Sequence, residues 1–229
     1  MPARLQWQPN QKGALYIALA FHVSGFIAMG IFRAPSFVAL TPLNLLLCLA
    51  LIVYTHASIN LAFAAFSLLA FATGFGAEWV GVNTGLLFGE YAYGPPLGLQ
   101  WGRVPLLIGV QWLVTMYCCG VATQKIFDAW SIPIKRPLAQ VAWAVLAALL
   151  ATAFDWLLEP VAIGLGYWSW KNNEVPLFNY LSWFAVSFFL MVIFRFSPFP
   201  KRNPFGVHLL LIQSGFFLLM RLALSRPIA

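Results

Sequence analysis

Apolar stretches separated by short polar segments set the reading of this chain. Residues 1–12 are polar and carry Arg4 and Lys12 ahead of an apolar run at 13–32. That run has about the length that crosses a bilayer and exceeds the core of a cleaved leader, so it reads as an uncleaved first helix ended by Arg33 and Pro35. Residues 40–76 are apolar but too long for one crossing. Their most polar part, 55–60, is placed at a turn, giving a short second helix and a third. The fourth helix is expected at 104–123. The fifth is expected at 138–158, closed by Pro160, the sixth at 177–194 and the seventh at 205–222. Polar loops at 125–137, 164–176 and 195–204 separate the last four.

Composition makes these stretches membrane spans rather than core helices. Of the 229 residues 62% are hydrophobic and only 8% charged, against roughly 25% charged in soluble domains. The expectation is therefore all-α: a polytopic transmembrane bundle of seven helices forming a single integral-membrane domain over 1–229. The net charge of +7 lies mostly between spans, where it is a topology signal and not a nucleic-acid footprint. Cys48, Cys118 and Cys119 lie in apolar runs without CxxC spacing, and read as buried small hydrophobes.

Two stretches break the apolar monotony. Residues 78–94, EWVGVNTGLLFGEYAYG, hold two of the six acidic residues among glycines and aromatics. Their glycines, followed by Pro95 and Pro96, argue against a regular helix through Gly94, so a loop or re-entrant segment is expected after the third helix. Non-helical backbone at membrane depth survives only where protein or trapped water satisfies it. Residues 154–170, FDWLLEPVAIGLGYWSW, hold Asp155 and Glu159. Two crossings separate the stretches, so both lie on one side. The basic loops fall on the other, which the positive-inside rule makes cytoplasmic.

Carboxyls within membrane segments are costly and default to function. Asp155 and Glu159, four residues apart, share a helix face, and two close carboxyls in a low dielectric resist double ionisation. Against this stands a structural reading in which Glu159 is interfacial and Asp155 is held by a partner such as Arg103. Glu78 and Glu90 come from the other stretch, Glu90 with Asn83, Tyr91 and Tyr93 nearby in sequence. Trp79, Tyr91, Tyr93, Trp101, Trp156, Tyr167, Trp168 and Trp170 crowd both stretches. They form either an interfacial belt or a cage whose ring faces stabilise a cation.

Absences narrow the chemistry. His22, His56 and His208 are isolated, so a His-rich di-iron centre lacks its ligands. No dinucleotide fingerprint, no DDxxD for magnesium and diphosphate and no mid-helix Lys for a Schiff base occur. Carboxyls, aromatics and an apolar cavity suit acid–base chemistry on a lipophilic molecule, with no cofactor and no metal.

The two stretches resemble the integral-membrane carotenoid biosynthesis family that includes γ-carotene and bisanhydrobacterioruberin hydratases. Glu78, Gly81, Thr84, Gly85, Phe88, Gly89, Tyr91 and Tyr93 carry the match in the first. Asp155, Pro160, Trp168 and Trp170 carry it in the second, followed by Asn179 and Trp183. The resemblance implies addition of water across the terminal double bond of an acyclic carotenoid end, giving a tertiary alcohol without a cofactor. It also implies a bacterial or archaeal cytoplasmic membrane, a carotenoid substrate, and other carotenoid biosynthesis enzymes as partners. The chemistry of that reaction assigns Asp155 as acid, Glu90 or Glu78 as the base that positions water, and Glu159 as the neighbour that keeps the proton on Asp155; Glu90 and Glu159 are not among the residues that carry the match. Substrate contacts are assigned to Trp79, Asn83, Thr84, Tyr91, Tyr93, Trp101, Trp156, Trp168, Trp170 and Asn179. A carotenoid end-ring cyclase shares the protonation step. A carotenoid-binding protein or a lipophile transporter stands as an alternative from another class.

Overall fold

The ends of the helices follow from local chemistry. In the computed structural model, which describes residues 9–133 and 136–225, Asn60 opens α4 (Leu61–Thr84) by accepting a hydrogen bond from Phe63 N at 2.9 Å. Asn203 does the same for α8 (Pro204–Leu224), accepting from Phe205 N at 3.0 Å and Gly206 N at 3.4 Å. Such side-chain oxygens replace the partners that first-turn N–H groups lack. α4 stops at Gly85, whose φ of +70° is open to glycine at little cost.

Among the described residues, seven helical spans are long and apolar enough to cross a membrane, as expected, and the chain is a multi-pass membrane protein. α1 (Pro9–Gly25) continues as a π-helical turn over Phe26–Ile31. A short α2 (Pro35–Val38) leads into α3 (Thr41–Thr55), and the two count as one span. α5 (Leu107–Ala129), α6 (Pro137–Gly164) and α7 (Leu177–Phe196) complete the set with α4 and α8. The turn expected near 55–60 separates α3 from α4. The polar stretch at 1–8, with Arg4, and Lys135 of the basic loop lie outside the described residues.

Three boundaries differ from the sequence reading. The fourth helix runs past Thr123 to Ala129, so Lys125 and Asp128, expected in a loop, are helical. The third helix runs past Gly76 to Thr84, so Glu78 and Gly81 are helical and only the segment from Gly85 onward is the loop. The fifth helix does not close at Pro160 but continues to Gly164. Pro160 cannot donate to the Trp156 carbonyl. In an apolar setting, however, the remaining backbone groups have no better partners than the helix itself. Asp155 and Glu159 therefore both sit inside a helix, well before its end.

α5 is the axis of the bundle. Its membrane window is 83% buried, against at most 44% for any other span. Trp112, Met116, Tyr117, Cys118 and Cys119 are completely enclosed, and the three cysteines are free and buried. The outer helices turn large apolar residues outward, among them Leu61 and Leu138, as a lipid-facing surface requires. Gly74 on α4 lies directly against the Trp112 indole, where a Cβ would overlap the ring. The close approach matters for the site, because Glu78 is one turn further along the same face.

The chain between α4 and α5 and that after α6 meet at one end. β1 (Tyr91–Tyr93) pairs antiparallel with β4 (Trp168–Trp170), with Tyr91 opposite Trp170 and Tyr93 opposite Trp168. A smaller ribbon joins β2 (Gln100–Trp101) to β3 (Val104–Pro105). Both acidic stretches thus sit at the same end of the bundle.

Candidate functional site

Period-two alternation explains the ribbon's role. In a strand, residues two apart share a face, so Tyr91 and Tyr93 face the same way, as do Trp168 and Trp170. The antiparallel register then stacks them as cross-strand pairs, Tyr91 on Trp170 at 4.9 Å and Tyr93 edge-on to Trp168 at 5.8 Å. Their four polar tips, two phenols and two indole N–H groups, all reach carboxyls on the helices beneath.

Glu78, on α4, accepts three hydrogen bonds. Tyr93 OH donates to Oε2 at 2.8 Å, Tyr91 OH donates to the same oxygen, and Trp112 Nε1 donates to Oε1 at 3.0 Å. Burial, and then the adjacent Glu78, hold the Tyr91 and Tyr93 phenols well above the ordinary tyrosine range, so both stay protonated donors. Glu159, on α6, accepts from Trp168 Nε1 at 2.9 Å and Trp170 Nε1 at 3.0 Å, both on Oε2. Asp155, one turn earlier, accepts a single bond, from Asn179 Nδ2 on α7 to Oδ2 at 2.9 Å. The three carboxyls are buried. Glu78 is committed as an acceptor on both oxygens, whereas Asp155 keeps Oδ1 on which to carry a proton.

These groups line one cavity of about 110 Å³ within the membrane-spanning region. An engineered apolar cavity of about 150 Å³ holds benzene, so this space takes the branched end of a long hydrocarbon and not its whole length. Trp112 and Trp183 stack at 3.8 Å with ring planes 7° apart and form part of its wall. Phe88, held at φ +63° with its N–H bonded to Ser182 Oγ at 3.1 Å, packs behind them. His22, Asn44 and Gln213, from α1, α3 and α8, also line the cavity.

The expected site residues divide. Glu78, Asp155, Glu159, Tyr91, Tyr93, Trp168, Trp170 and Asn179 converge on the cavity. Glu90 does not. Its side chain is 66% exposed and pairs with Lys171 Nζ at 2.6 Å. Asn83 binds the Trp79 and Gly102 carbonyls and accepts from Arg103 at 2.8 Å, so Arg103 serves Asn83 and not Asp155. Thr84 caps the end of α4 through the Val80 carbonyl and Leu86 N. Trp79, Trp101 and Trp156 are exposed, Trp101 stacked on Phe75 and Trp156 beneath the Arg221 guanidinium. None of these lines the cavity.

Sequence reasoning did not assign Trp112, His22, Asn44 or Gln213 to the site. Each lies alone in an apolar helix with no motif around it. The strands left a signal that was legible, YxY and WxW at period two. Among the described residues, no group of three His, Cys, Asp or Glu side chains is arranged to hold a metal ion.

Neither the curated proteins nor the solved structures contain a match to this sequence. A family model does match, that of the carotenoid biosynthesis proteins, over residues 39–225. That stretch runs from α3 to α8 and includes every carboxyl and ribbon residue of the cavity, so the chain belongs to the carotenoid biosynthesis protein family.

Proposed function

We propose that this protein adds water across the terminal carbon–carbon double bond of an acyclic carotenoid end group. The observation that carries the reading is the convergence of Glu78, Asp155 and Glu159 on one aromatic-walled cavity of end-group size. Asp155 gives its proton to the less substituted alkene carbon, and a tertiary cation forms at the carbon bearing two methyl groups. The Glu78 and Glu159 carboxylates and the faces of Trp112, Trp183 and the ribbon aromatics stabilise that charge. Water forms the new carbon–oxygen bond and loses a proton, so one water is added and no electrons are exchanged. Nothing in this sequence of steps calls on a cofactor.

Trp79, Asn83, Thr84, Trp101 and Trp156 frame the outside of the ribbon end in this reading. Glu90 stands outside the reacting set. The ribbon end is assigned to the non-cytoplasmic side because Lys125, in the last turns of α5, and the loop residues Arg136, Lys201 and Arg202 lie at the opposite end. Asn172→Cys and Lys201→Cys should label from opposite faces of the membrane; labelling from one face removes that assignment.

The test of the reaction is expression in a bacterium that makes lycopene or γ-carotene, grown in oxygen-18 water, with pigment mass read by chromatography. The expected pigment is heavier by one labelled water. Unchanged mass with a new ring absorption would make the protein a cyclase, and bound but unaltered pigment would make it a carrier.

A further inference from the structure

The cavity has a second polar wall that the carboxyls do not explain. His22, Asn44 and Gln213 face it from α1, α3 and α8. Helical spacing brings them to one place. Phe216, three residues after Gln213, meets the His22 ring edge-on at 5.6 Å. Cys48, four residues after Asn44, lies 3.8 Å from Gln213 Nε2. His22 and Gln213 sit about two and a half to three turns from the ribbon end, a depth comparable to that of Asp155.

All three present acceptors. Gln213 is 4% exposed, and its Oε1 has no hydrogen-bond partner among the described residues; nor does Asn44 Oδ1. His22, also buried, approaches the Ala18 carbonyl through Nδ1 at 2.8 Å. A carbonyl only accepts, so Nδ1 carries the hydrogen and Nε2 of the neutral ring carries a lone pair. Unpaired acceptors in an apolar interior are costly, and two unpaired amide oxygens beside the imidazole lone pair call for a small molecule rich in donors. Within so small a space beside an alkene end, the molecule that fits is water, which needs two to four polar partners to be held.

We infer that the His22–Asn44–Gln213 wall holds the water that captures the cation. One O–H of that water points to His22 Nε2 and the other to an amide oxygen, Gln213 being the more deeply buried of the two amide residues. With both hydrogens engaged, a lone pair of the oxygen faces the cationic carbon. The carbon–oxygen bond forms as one O–H breaks, and its proton passes to His22 Nε2. The imidazolium then returns a proton through cavity water to the Asp155 carboxylate, which restores the acid. The inference rests on the hydration reading and adds a division of labour: the α4–α7 wall makes the cation, and the α1–α3–α8 wall supplies the nucleophile.

The two steps have separate readouts in membranes containing the full chain, given lycopene in detergent and heavy water. Protonation places deuterium on the alkene end whether or not water adds, because an uncaptured cation loses a proton and returns as alkene. Hydration adds the mass of one water. Gln213→Leu should keep deuterium incorporation while the hydrated fraction falls on the order of tenfold, the effect of one lost hydrogen bond to the attacking oxygen. His22→Leu should lower hydration further with the same deuterium signal, and Asp155→Asn should lose both signals. Hydration at the wild-type ratio in both wall variants overturns the inference and leaves the hydratase reading intact. Loss of both signals in both wall variants also overturns it, because that is the mark of a structural role. A wild-type chain that incorporates deuterium but never adds water overturns the hydratase reading, and the inference with it.

Discussion

Two buried polar networks occupy opposite ends of the bundle and are built from similar bonds to different ends. At the end away from the ribbon, Asn203 Nδ2 donates to Thr55 Oγ1 at 3.1 Å and to Tyr117 OH at 3.0 Å, and Tyr117 OH meets His56 Nδ1 at 2.8 Å. His56 stacks on Phe63 at 4.0 Å. This network contains no carboxyl, and none of its four residues lines the cavity. Of its polar atoms only His56 Nε2 lacks a partner among the described residues. At the ribbon end the donors instead converge on three carboxyls that line the cavity. A polar network that satisfies itself ties α3, α5 and α8 together. One that aims its donors at carboxyls beside a cavity prepares charge for a ligand.

The largest effect expected from this difference is at Asp155. Asp155→Asn keeps the shape and removes the transferable proton. Hydrated pigment should fall by about 10²–10⁴-fold, the usual contribution of a general acid, while thermal unfolding in detergent changes by less than about 1 kcal/mol. A variant that hydrates at the wild-type rate would move the acid to another carboxyl.

The far network should respond in the opposite sense. Asn203→Leu removes the cap of α8 and one donor each from Thr55, which keeps its bond to the Leu51 carbonyl, and Tyr117, which keeps His56. Cap loss costs about 0.5–2 kcal/mol and each lost hydrogen bond about 0.5–1.5 kcal/mol. The melting temperature should drop by several degrees, with activity per folded molecule unchanged. If activity instead collapses at constant stability, the division between a structural and a chemical end is wrong.

The same contrast explains what the sequence revealed. Seven spans, the turn near 55–60 and the shared side of both acidic stretches were legible because apolar length and polar interruption fix them. So was the place of Asp155 within a span, since an acidic residue in a run such as ATAFDWLL is costly unless something in the interior meets it. The far boundary of α6 was hidden because Pro160 ends helices in water, where the freed carbonyl finds solvent; in an apolar bundle the helix continues. Glu90 and Glu78 looked alike in the sequence, two acidic residues among glycines and aromatics. What separates them is three donors from Tyr91, Tyr93 and Trp112 against one exposed lysine, and α5 supplies one of those donors from a position with no local motif. The wall of His22, Asn44 and Gln213 was equally hidden, because residues from three distant helices meet only after packing.

The smallest expected effect tests the far end through pH. Lys201, in the loop before α8, lies 4.8 Å over the Phe199 ring and donates to the Ser197 carbonyl at 2.5 Å. Burial, and then the nearby Arg195, push its ammonium down to about 8 from 10.5. Below pH 8 folded and unfolded chains both hold the proton, and this group gives stability no pH dependence. Between about pH 8 and 10.5 the unfolded chain binds more protons than the folded one, so stability rises with pH through that window. Solvent at this half-exposed site limits the gain to less than about 1 kcal/mol. Unfolding temperatures of the wild type and Lys201→Met, measured in detergent from pH 7.5 to 10, should therefore converge as pH rises. The wild type gains as its folded lysine sheds the proton, and the variant, with no proton to shed, does not. Parallel curves would mean that the ammonium is as well solvated in the folded chain as in the unfolded one, and that the far end carries no electrostatic strain at all.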